Sequence, residues 1–414
     1  LSNIISFVEE AQKAQPKIQK LADKICSIFV PAVITISLVT FLYWFLYRYH
    51  GSFYYIEKPI INAVCVLVIS CPCALGIATP IAVTLGMGLA AKNGILIKRG
   101  DVFEKSSKID TIIFDKTGTI TENKLKVKEI INFTENYTKE SLLEIISSVE
   151  RYSEHPIGKA IYEEGKRINL NKINIQNFRA HVGKGVTALI ENKKIIIGNG
   201  KMLEENGIEV KEIKNKIAVY IAIDRQLVGA VSFEDTIKED AEKAVKVLKK
   251  RGMYTMLVSG DKKDVCNNVG KKIGVDKVYS EVTPQDKYKI IKDLQKDGKK
   301  VAMIGDGIND SIALSAADLS ISLKEGTDIA VESSDVIIMR KSLLQIPLML
   351  QISKRTIVKI KQNLLFAFIY NIVGIPIAAS GMLKPEIACI LMTISSLSVV
   401  LNTLTLKKLK KEVY

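Results

Sequence analysis

Residues 112–119 combine a short apolar run with an aspartate and a turn rich in glycine and hydroxyl groups. An apolar run of this length predicts a buried parallel strand, and Asp115 stands at its carboxyl end. Parallel sheets bind ligands in the crevice beyond the carboxyl ends of their strands. A carboxylate there can attack phosphorus and form an aspartyl-phosphate. The alternative, an aspartate that only begins a turn, is disfavoured by three segments downstream.

These three segments carry groups that suit phosphoryl chemistry, and they follow one another along the chain. Ser259 comes after a strand-like run and offers a hydroxyl to a phosphoryl oxygen, while Lys287 offers a compact positive charge. Asp306, Asn309 and Asp310 follow another strand-like run. Two carboxylates and an amide suit Mg²⁺, which prefers a few carboxylates together with phosphate oxygens. Together the segments predict one phosphoryl-transfer site.

Position 117 distinguishes a phosphatase from a protein that keeps its phosphoenzyme. A hydrolytic phosphatase needs a general acid–base two residues after the nucleophile to activate water. Thr117 cannot do this well, so we expect the aspartyl-phosphate on Asp115 to persist and to drive a conformational cycle. A membrane-tethered phosphatase that uses the same aspartate is the disfavoured alternative.

The composition indicates a membrane protein with a large soluble part. Hydrophobic residues make up 48% of the chain, charged residues 25%, and the formal net charge is +15. Four apolar stretches are long enough to span a bilayer, which takes about 20 residues. Their approximate bounds are 28–47, 60–88, 364–383 and 387–406. Proline and glycine interrupt the second and third stretches, which predicts broken or kinked helices near a site.

Lysine and arginine cluster on one side of these four stretches. They precede the first and third and follow the second and fourth, whereas the other side carries only Arg48, Lys58 and Lys384. This bias predicts a cell-membrane protein whose termini and large soluble region are cytoplasmic. A basic chain also suggests nucleic-acid binding, but the charge lies at the membrane flanks without interleaved aromatic residues. We therefore expect a lipid membrane and no nucleic acid as partner.

The motifs Asp-Lys-Thr-Gly-Thr at 115–119 and Gly-Asp-Gly-Ile-Asn-Asp at 305–310 resemble those of P-type ATPases. The rest of the chain resembles their heavy-metal branch and, within it, the copper(I)-exporting class. The resemblance implies an α/β cytoplasmic part, with a haloacid-dehalogenase-like phosphorylation domain and an inserted α+β nucleotide-binding domain, and a transmembrane α-helical bundle. The implied parts are a lead-in with spans at 1–91, the phosphorylation domain at 92–125 and 228–345, the nucleotide-binding domain at 126–227, and spans with a basic tail at 346–414.

By this resemblance, ATP transfers its γ-phosphate to Asp115 while Mg²⁺ is held by Asp115, Thr117 and Asp306. The residues implied at the phosphorylation site are Asp115, Lys116, Thr117, Gly118, Thr119, Ser259, Gly260, Asp261, Lys287, Asn309 and Asp310. Ser259 stands where the family usually has threonine, and the hydroxyl is kept. We expect a mild effect from that departure.

The inserted region resembles the nucleotide-binding domain of heavy-metal pumps. Its glycines alone indicate turns more readily than a ligand site. No Gly-x-x-x-x-Gly-Lys-Ser/Thr loop occurs, so the other domain must manage the phosphates. The residues that hold ATP by this resemblance are Glu150, His155, Gly183, Gly185, Gly198 and Asn199.

Cys71 and Cys73 flank Pro72 in the middle of the second apolar stretch. Proline leaves backbone groups unpaired and bends a helix, which can bring two thiols to one cavity. Soft thiolates favour Cu(I) over hard ions. We expect no disulfide here, because bridging residues two apart is geometrically difficult and the topology is cytoplasm-facing. The other four cysteines are interpreted as packing residues.

Polar residues also occur at membrane depth in the third and fourth stretches. Singly, such residues indicate contacts between helices. With Cys-Pro-Cys they resemble the copper(I) class, in which one site would use Cys71, Cys73 and Tyr370 and a second would use Asn371, Met392 and Ser396. Zinc and cadmium pumps, the alternative class, typically carry a lysine in the third stretch and an aspartate in the last, and neither occurs here. Silver(I), equally soft, stays an alternative cargo.

The sequence thus predicts ATP-driven export of monovalent copper, with the ion delivered by a small cytoplasmic copper chaperone. The family carries an actuator domain with a Thr-Gly-Glu loop before the segment that opens this chain, and no Thr-Gly-Glu occurs here. We therefore expect the carboxyl-terminal part of a longer pump. The alternative is a complete copper-binding membrane protein that autophosphorylates without transport.

Overall fold

The computed structural model describes residues 17–168, 173–210, 217–306, 310–324 and 334–408. Asn309, predicted at the phosphorylation site, lies outside the described residues. The helices are α1 (Lys17–Leu42), α2 (Glu57–Ile69), α3 (Cys73–Lys92), α4 (Val102–Ser107), α5 (Lys139–Glu150), α6 (Pro156–Arg167), α7 (Gly200–Glu205), α8 (Ala241–Lys250), α9 (Lys263–Ile273), α10 (Pro284–Lys296), α11 (Ser311–Ala316), α12 (Gln345–Ala379) and α13 (Pro385–Leu404).

The strands form two sheets, one of seven and one of six strands. They are β1 (Ile95–Ile97), β2 (Thr111–Asp115), β3 (Thr121–Asn132), β4 (Gln176–His181), β5 (Gly185–Ile190), β6 (Lys193–Gly198), β7 (Ile217–Ile223), β8 (Gln226–Ile237), β9 (Tyr254–Val258), β10 (Lys277–Tyr279), β11 (Val301–Gly305), β12 (Leu319–Leu323) and β13 (Val336–Ile338).

Four helical segments of the described chain are long and apolar enough to cross a membrane, which confirms the four predicted spans. Their bounds are Asp23–Arg48, Glu57–Lys92, Gln345–Ala379 and Pro385–Lys407. The second is broken into α2 and α3 around Pro72, because proline lacks the donor that would continue the helix. The third runs through Pro376 as one helix, since that proline lies close to its end.

The helix that contains the third predicted stretch begins at Gln345, 19 residues before that stretch starts at residue 364. The segment 345–363 is rich in Lys and Arg, so its average hydropathy is too polar to predict a membrane span. Its apolar residues nevertheless fall on one helix face, and Ile346, Met349 and Ile352 are buried in the core of the seven-stranded sheet domain. One helix therefore belongs both to the soluble part and to the membrane bundle.

The seven-stranded sheet has the order β1-β13-β12-β11-β2-β9-β10. All its neighbours are parallel except β1, which pairs antiparallel with β13 at the edge. Helices cover both faces, and β2, β11 and β12 are accordingly buried along their whole length. This doubly covered, mainly parallel sheet agrees with the α/β phosphorylation domain that the resemblance implies.

The six-stranded sheet is antiparallel, with the order β3-β8-β7-β6-β5-β4. Its two longest strands, β3 and β8, pair from Thr121–Ile237 at one end to Asn132–Gly229 at the other. They therefore form the double connection through which this domain is inserted into the first. The helices α5 and α6 pack closely, since a Cβ on Gly165 would lie 2.5 Å from Cβ of Ser147.

Candidate functional site

Asp115 is the last residue of β2, at the carboxyl edge of the seven-stranded sheet, and its side chain is buried. Nζ of Lys287 lies 2.5 Å from Oδ1 of Asp115 and 2.7 Å from Oδ1 of Asp310. Thr283 and Asp286 form a capping box that begins α10, which places Lys287 in the first turn of that helix. The predicted nucleophile, lysine and carboxylate are therefore brought into direct contact.

Asp306 completes a cluster of carboxylates with Asp115 and Asp310. One oxygen of each lies within 4.8 Å of the others. Burial raises the pKa of Asp115, and repulsion from Asp310 adds to it, although Lys287 opposes both. Burial likewise raises the pKa of Asp306 to about 6. The single ammonium group of Lys287 does not neutralise three carboxylates. The set of carboxylate oxygens therefore fits a hard divalent cation such as Mg²⁺.

The turn after Asp115 depends on a glycine. Gly118 has φ of +70°, and a Cβ at this position would lie 1.6 Å from Oδ2 of Asp306. Oγ1 of Thr121 accepts from the Gly118 N–H and donates to the Lys116 carbonyl, which fixes the turn. Thr119 is fully buried, and its Oγ1 has no partner among the described residues. An orphaned hydroxyl in this turn suits a phosphoryl oxygen as its acceptor.

Ser259 lies directly after β9, the strand next to β2, and is also buried. Its Oγ accepts from the N–H of Asp261 at 3.2 Å, while Asp261 is paired with Lys116. Gly260 lies between them. The predicted Ser-Gly-Asp loop is thus joined to the turn that follows the nucleophile. Thr117, predicted as a magnesium ligand, is exposed at the mouth of this site.

Lys238, a buried residue directly after β8, also lies at this site and was not predicted from the sequence. Its Nζ donates to the carbonyl of Gly118 at 3.2 Å, and its charge lowers the pKa of Asp306, opposing the effect of burial. No local motif marks this lysine. The one available signal is a charged residue directly after a long strand, where the inserted domain rejoins the first.

In the inserted domain, Glu150 is the last residue of α5 and is only 5% exposed. Burial raises the pKa of Glu150 to about 7, although a hydrogen bond from Ser153 opposes the rise. A Cβ on Gly158 would lie 2.3 Å from Oε2 of Glu150, so glycine allows α6 to approach this carboxyl. His155 begins α6, and its Nδ1 accepts from the N–H of Ile157 at 3.3 Å.

The predicted glycines and asparagine come together at one end of β5 and β6. Nδ2 of Asn199 donates to the carbonyl of Gly183 at 3.0 Å, and its Oδ1 caps α7. Gly185 pairs with Gly198, and a Cβ on Gly185 would lie 2.1 Å from the carbonyl oxygen of Ile197. Side chains are excluded at Gly185 and Gly198, and Gly183 and Asn199 beside them are exposed.

The expectation that Cys71 and Cys73 remain unbridged is wrong. The two residues form a disulfide, and their Cα atoms are 5.5 Å apart, within the range that a disulfide spans. The reason is local: Pro72 has a non-helical backbone (φ −81°, ψ 32°) between the ends of α2 and α3. The break turns the two side chains toward each other. Cys26, Cys65, Cys266 and Cys389 are free. Cys65 and Cys266 are buried, as the packing interpretation predicts, whereas Cys26 is half-buried and Cys389 is exposed.

Tyr370 and Asn371 lie on α12 at the level of this break. Ala367, about one turn before them, packs in a cluster with Ala74 and Leu75 of α3. Gly374, one turn after them, lies against α2, where its Cβ would be 2.5 Å from Cγ1 of Ile69. Asn371 is buried between these two contacts.

The residues predicted on α13 lie at the same level. Ala388 packs in the cluster that contains Ile69 of α2, and Val399 packs in the cluster that contains Ala74 of α3. Met392 and Ser396 lie between Ala388 and Val399 and are half-buried. The break between α2 and α3, together with α12 and α13, therefore places the six predicted copper ligands at a similar depth of the bundle.

Residues 109–318 match the haloacid dehalogenase-like hydrolases. This match covers half of the chain, and the chain belongs to that family. Over nearly its whole length it is also similar to copper-exporting P-type ATPases. A Staphylococcus epidermidis protein of that name is 40% identical over an alignment of 420 residues that covers 99% of this chain and 52% of the relative.

A copper-exporting P-type ATPase of Staphylococcus aureus is 41% identical over 422 residues, covering 100% of this chain and 52% of the relative. The chain thus spans about half the length of the curated relatives it matches. The crystal structure of a zinc-transporting PIB-type ATPase in the E2.Pi state has a TM-score of 0.80 and 28% identity over 98% of this chain and 66% of its own. These relatives confirm the resemblance to heavy-metal P-type ATPases.

The catalytic domain of the CPx-ATPase CopB-B, studied for its conformational changes upon nucleotide binding, has a TM-score of 0.51 and 31% identity. The match covers 65% of this chain and 98% of that domain. It supports the interpretation of the soluble part as a phosphorylation domain with an inserted nucleotide-binding domain.

Proposed function

We propose that the chain belongs to an ATP-driven exporter of monovalent copper that works through a phosphorylated Asp115. The observation that carries this proposal is the buried contact of Asp115 with Lys287, at 2.5 Å, inside a cluster of three carboxylates. The copper-exporting relatives support the choice of reaction, and the thiol pair in the membrane bundle supports the choice of ion.

In this proposal Asp115 is the nucleophile toward the γ-phosphorus of ATP. Lys287 holds the Asp115 carboxylate in place, and it offsets the charge that the phosphoryl group brings. Thr119 and Ser259 are the hydroxyls that would hold phosphoryl oxygens, because both are buried beside the turn. Asp306 and Asp115, with Asp310 beside them, would hold Mg²⁺, which when bound neutralises phosphate oxygens. Thr117 provides no acid–base group, so the phosphoenzyme persists.

ATP is proposed to bind to the inserted domain, within the predicted bounds 126–227. The bare backbone at Gly183, Gly185 and Gly198 can approach a flat ligand closely, and Asn199 fixes that backbone. Glu150 provides a buried acceptor for an amino group, and His155 provides a ring at the exposed start of α6. The flanking segments 92–125 and 228–345 make up the phosphorylation domain.

The proposed copper ligands are Cys71, Cys73, Tyr370, Asn371, Met392 and Ser396. Thiolates and a thioether are soft ligands and favour Cu(I) or Ag(I). Ligation requires the free thiols, so the proposed transport state has the Cys71–Cys73 disulfide reduced. A zinc-type cargo is disfavoured despite the structural neighbour, because the described parts of α12 and α13 offer no lysine or aspartate at this depth.

The side of the membrane and the copper donor are proposed from sequence features alone. The basic flanks of the four spans favour a cytoplasmic soluble region and cytoplasmic termini. Copper(I) would be supplied by a small cytoplasmic copper chaperone, since the free ion binds thiols tightly.

The experiment that tests this proposal is phosphorylation of the full-length protein with γ-labelled ATP in the presence of Cu(I). We expect an acid-stable, hydroxylamine-sensitive label that Asp115→Asn abolishes. Asp110→Asn is the matched control, because Asp110 lies on the opposite end of the same strand region and should leave the label intact. An unchanged label in Asp115→Asn would overturn the assignment, and a label independent of Cu(I) and Ag(I) would overturn the choice of ion.

A further inference from the structure

We propose that Lys238 and Asp240 form a coupling element that joins the phosphorylation turn to the membrane helix α12. The inference rests on the proposed function and adds two positioning residues to it. Lys238 contacts the turn after Asp115, and Asp240 contacts the start of α12. The two residues are separated by a single position in the chain.

The first contact connects Lys238 to the phosphorylation turn in two ways. Its Nζ donates to the Gly118 carbonyl at 3.2 Å, and its backbone N–H donates to the Ile120 carbonyl at 2.9 Å. Lys238 is 6% exposed, so its ammonium group responds strongly to charge nearby. A phosphoryl group on Asp115 adds roughly 1.5 to 2 negative charges beside that turn.

The second contact joins the side chain of Asp240 to the residues just before α12. Asp240 stands at the N-cap of α8, where an aspartate normally accepts from its own helix, yet its side chain makes no such bond. Its Oδ2 instead accepts from Oγ of Ser342 at 2.6 Å and from the N–H of Leu344 at 3.4 Å. Leu344 directly precedes α12, so Asp240 caps the membrane helix rather than its own.

The segment between the contacts is short and internally bonded. The N–H of Ala241 donates to the Lys238 carbonyl at 3.0 Å, and the N–H of Ala244 donates to the Asp240 carbonyl at 2.8 Å. A displacement of Lys238 must therefore displace Asp240 as well. The carboxylate also interacts favourably with the positive end of the α12 dipole, so it is held there by charge as well as by hydrogen bonds.

The helix that Asp240 caps reaches the proposed copper site. From Gln345 to Asn371, α12 is one uninterrupted helix, roughly 40 Å long at 1.5 Å per residue. A shift of its start is therefore carried to the level of the Cys71–Cys73 break. We infer that the Lys238–Asp240 segment makes phosphorylation depend on the metal, and metal binding on phosphorylation.

A matched control exists on the same two helices. Arg251, directly after α8, donates to the side chain of Gln351 on α12 at 2.9 Å. This contact also holds α8 against α12, but it lies at the far end of α8 from Lys238. Gln351→Ala removes this side-chain hydrogen bond to α12, while the bond from Arg251 to the Pro347 carbonyl remains, and it does not touch the proposed connection.

The test measures phosphoenzyme formation by the full-length protein across a Cu(I) titration. We expect Asp240→Ala to keep the label but to reduce its stimulation by Cu(I) by about five-fold or more. Ser342→Ala, which removes only one of the two bonds, should act in the same direction with a smaller effect. It serves in place of Asp240→Ala if that variant does not fold. Gln351→Ala should retain wild-type stimulation.

Wild-type stimulation in both Asp240→Ala and Ser342→Ala would overturn the inference, as would an equal loss in Gln351→Ala, which would indicate general docking of α12. These outcomes are separate from failure of the proposed function. That failure would appear in the wild type, as a label that does not respond to Cu(I) or survives Asp115→Asn.

Discussion

Gly118 lies so close to Asp306 that no side chain fits between them, since a Cβ on Gly118 would be 1.6 Å from Oδ2 of Asp306. Gly118 lies in the turn after β2 and Asp306 directly follows β11, and these two strands are neighbours in the sheet. The turn backbone thereby forms one wall of the carboxylate cluster. The cluster exists only because this position lacks a side chain.

We expect Gly118→Ala to abolish phosphoenzyme formation, because the added methyl group must displace Asp306 from the cluster. Gly252→Ala is the matched control: it has a similar φ of +79° but nothing within 4 Å of the added Cβ. Both variants incur the left-handed backbone cost of about 1–2 kcal/mol, and only Gly118→Ala also has the clash. The measurement is the label from γ-labelled ATP. Equal loss in both variants would show that backbone strain alone is responsible.

Glu150 gives a pH-dependent stability whose sign follows from its pKa. Burial raises the pKa of Glu150 from 4.5 to about 7, so the folded state binds the proton more tightly than the unfolded state. Its stabilising contribution is fully present below about pH 4.5 and is lost as the pH rises through about 7. At pH 8 the folded protein therefore carries an unfavourable buried charge.

We expect Glu150→Gln to stabilise α5 and α6 at pH 8 by on the order of 2 kcal/mol, and to have little effect at pH 5. The glutamine has the same shape and stays neutral at both pH values. Hydrogen–deuterium exchange of the α5 and α6 amides, corrected for intrinsic rates, measures the difference locally. Glu154→Gln, at an exposed carboxyl four residues along, is the control and should change neither value. A pH-independent effect of Glu150→Gln would contradict the assignment.

The Cys71–Cys73 disulfide makes copper binding depend on reduction. A disulfide has no thiolate to offer, so we expect protein oxidised with diamide to lose Cu(I) binding in the membrane bundle, and reduction with a phosphine to restore it. Competition with a chromophoric Cu(I) chelator measures the bound metal. Cys389→Ser, which removes an exposed free thiol, should respond as the wild type does. Unchanged binding by the oxidised protein would place the copper site elsewhere.

The sequence predicts that the groups around Asp115 lie together because several of them follow a recognisable strand. Asp115, Ser259 and Asp306 all come directly after apolar runs, and parallel strands deliver their carboxyl ends to one edge. Lys238 and Asp240 could not be predicted in this way. They act through partners far away in the chain, Gly118 for Lys238 and Ser342 for Asp240. The pairing of β3 with β8 brings Gly118 near Lys238, and no local pattern in the sequence indicates either contact.

Two features that the sequence analysis did not give also have physical causes. The start of α12 before the apolar stretch 364–383 was not predicted, because the average hydropathy of a basic segment conceals apolar residues on one helix face. The disulfide was missed because separation in sequence is a poor guide to Cα separation once Pro72 breaks the helix. In both cases the structure depends on local backbone geometry, which cannot be inferred from the composition of the segment.

The contact of Gly374 with Ile69 provides a test of the membrane site itself. A Cβ on Gly374 would lie 2.5 Å from Cγ1 of Ile69, so Gly374→Ala must push α12 away from α2 next to Asn371 and the Cys71–Cys73 break. Overpacking of this kind costs about 1–3 kcal/mol. Because about 1.4 kcal/mol corresponds to a tenfold change in Kd, we expect the Cu(I) affinity of the reduced protein to fall by about tenfold.

Chelator competition measures the affinity of this variant, and two further variants make the result specific. Gly88→Ala, on α3 with nothing within 4 Å of the added Cβ, should leave the affinity unchanged. Adding Ile69→Ala to Gly374→Ala should restore most of the affinity, because the smaller side chain makes room for the methyl group. Full affinity in Gly374→Ala alone would mean that Tyr370 and Asn371 need no fixed distance from the two cysteines, and the shared site on α12 would then be wrong.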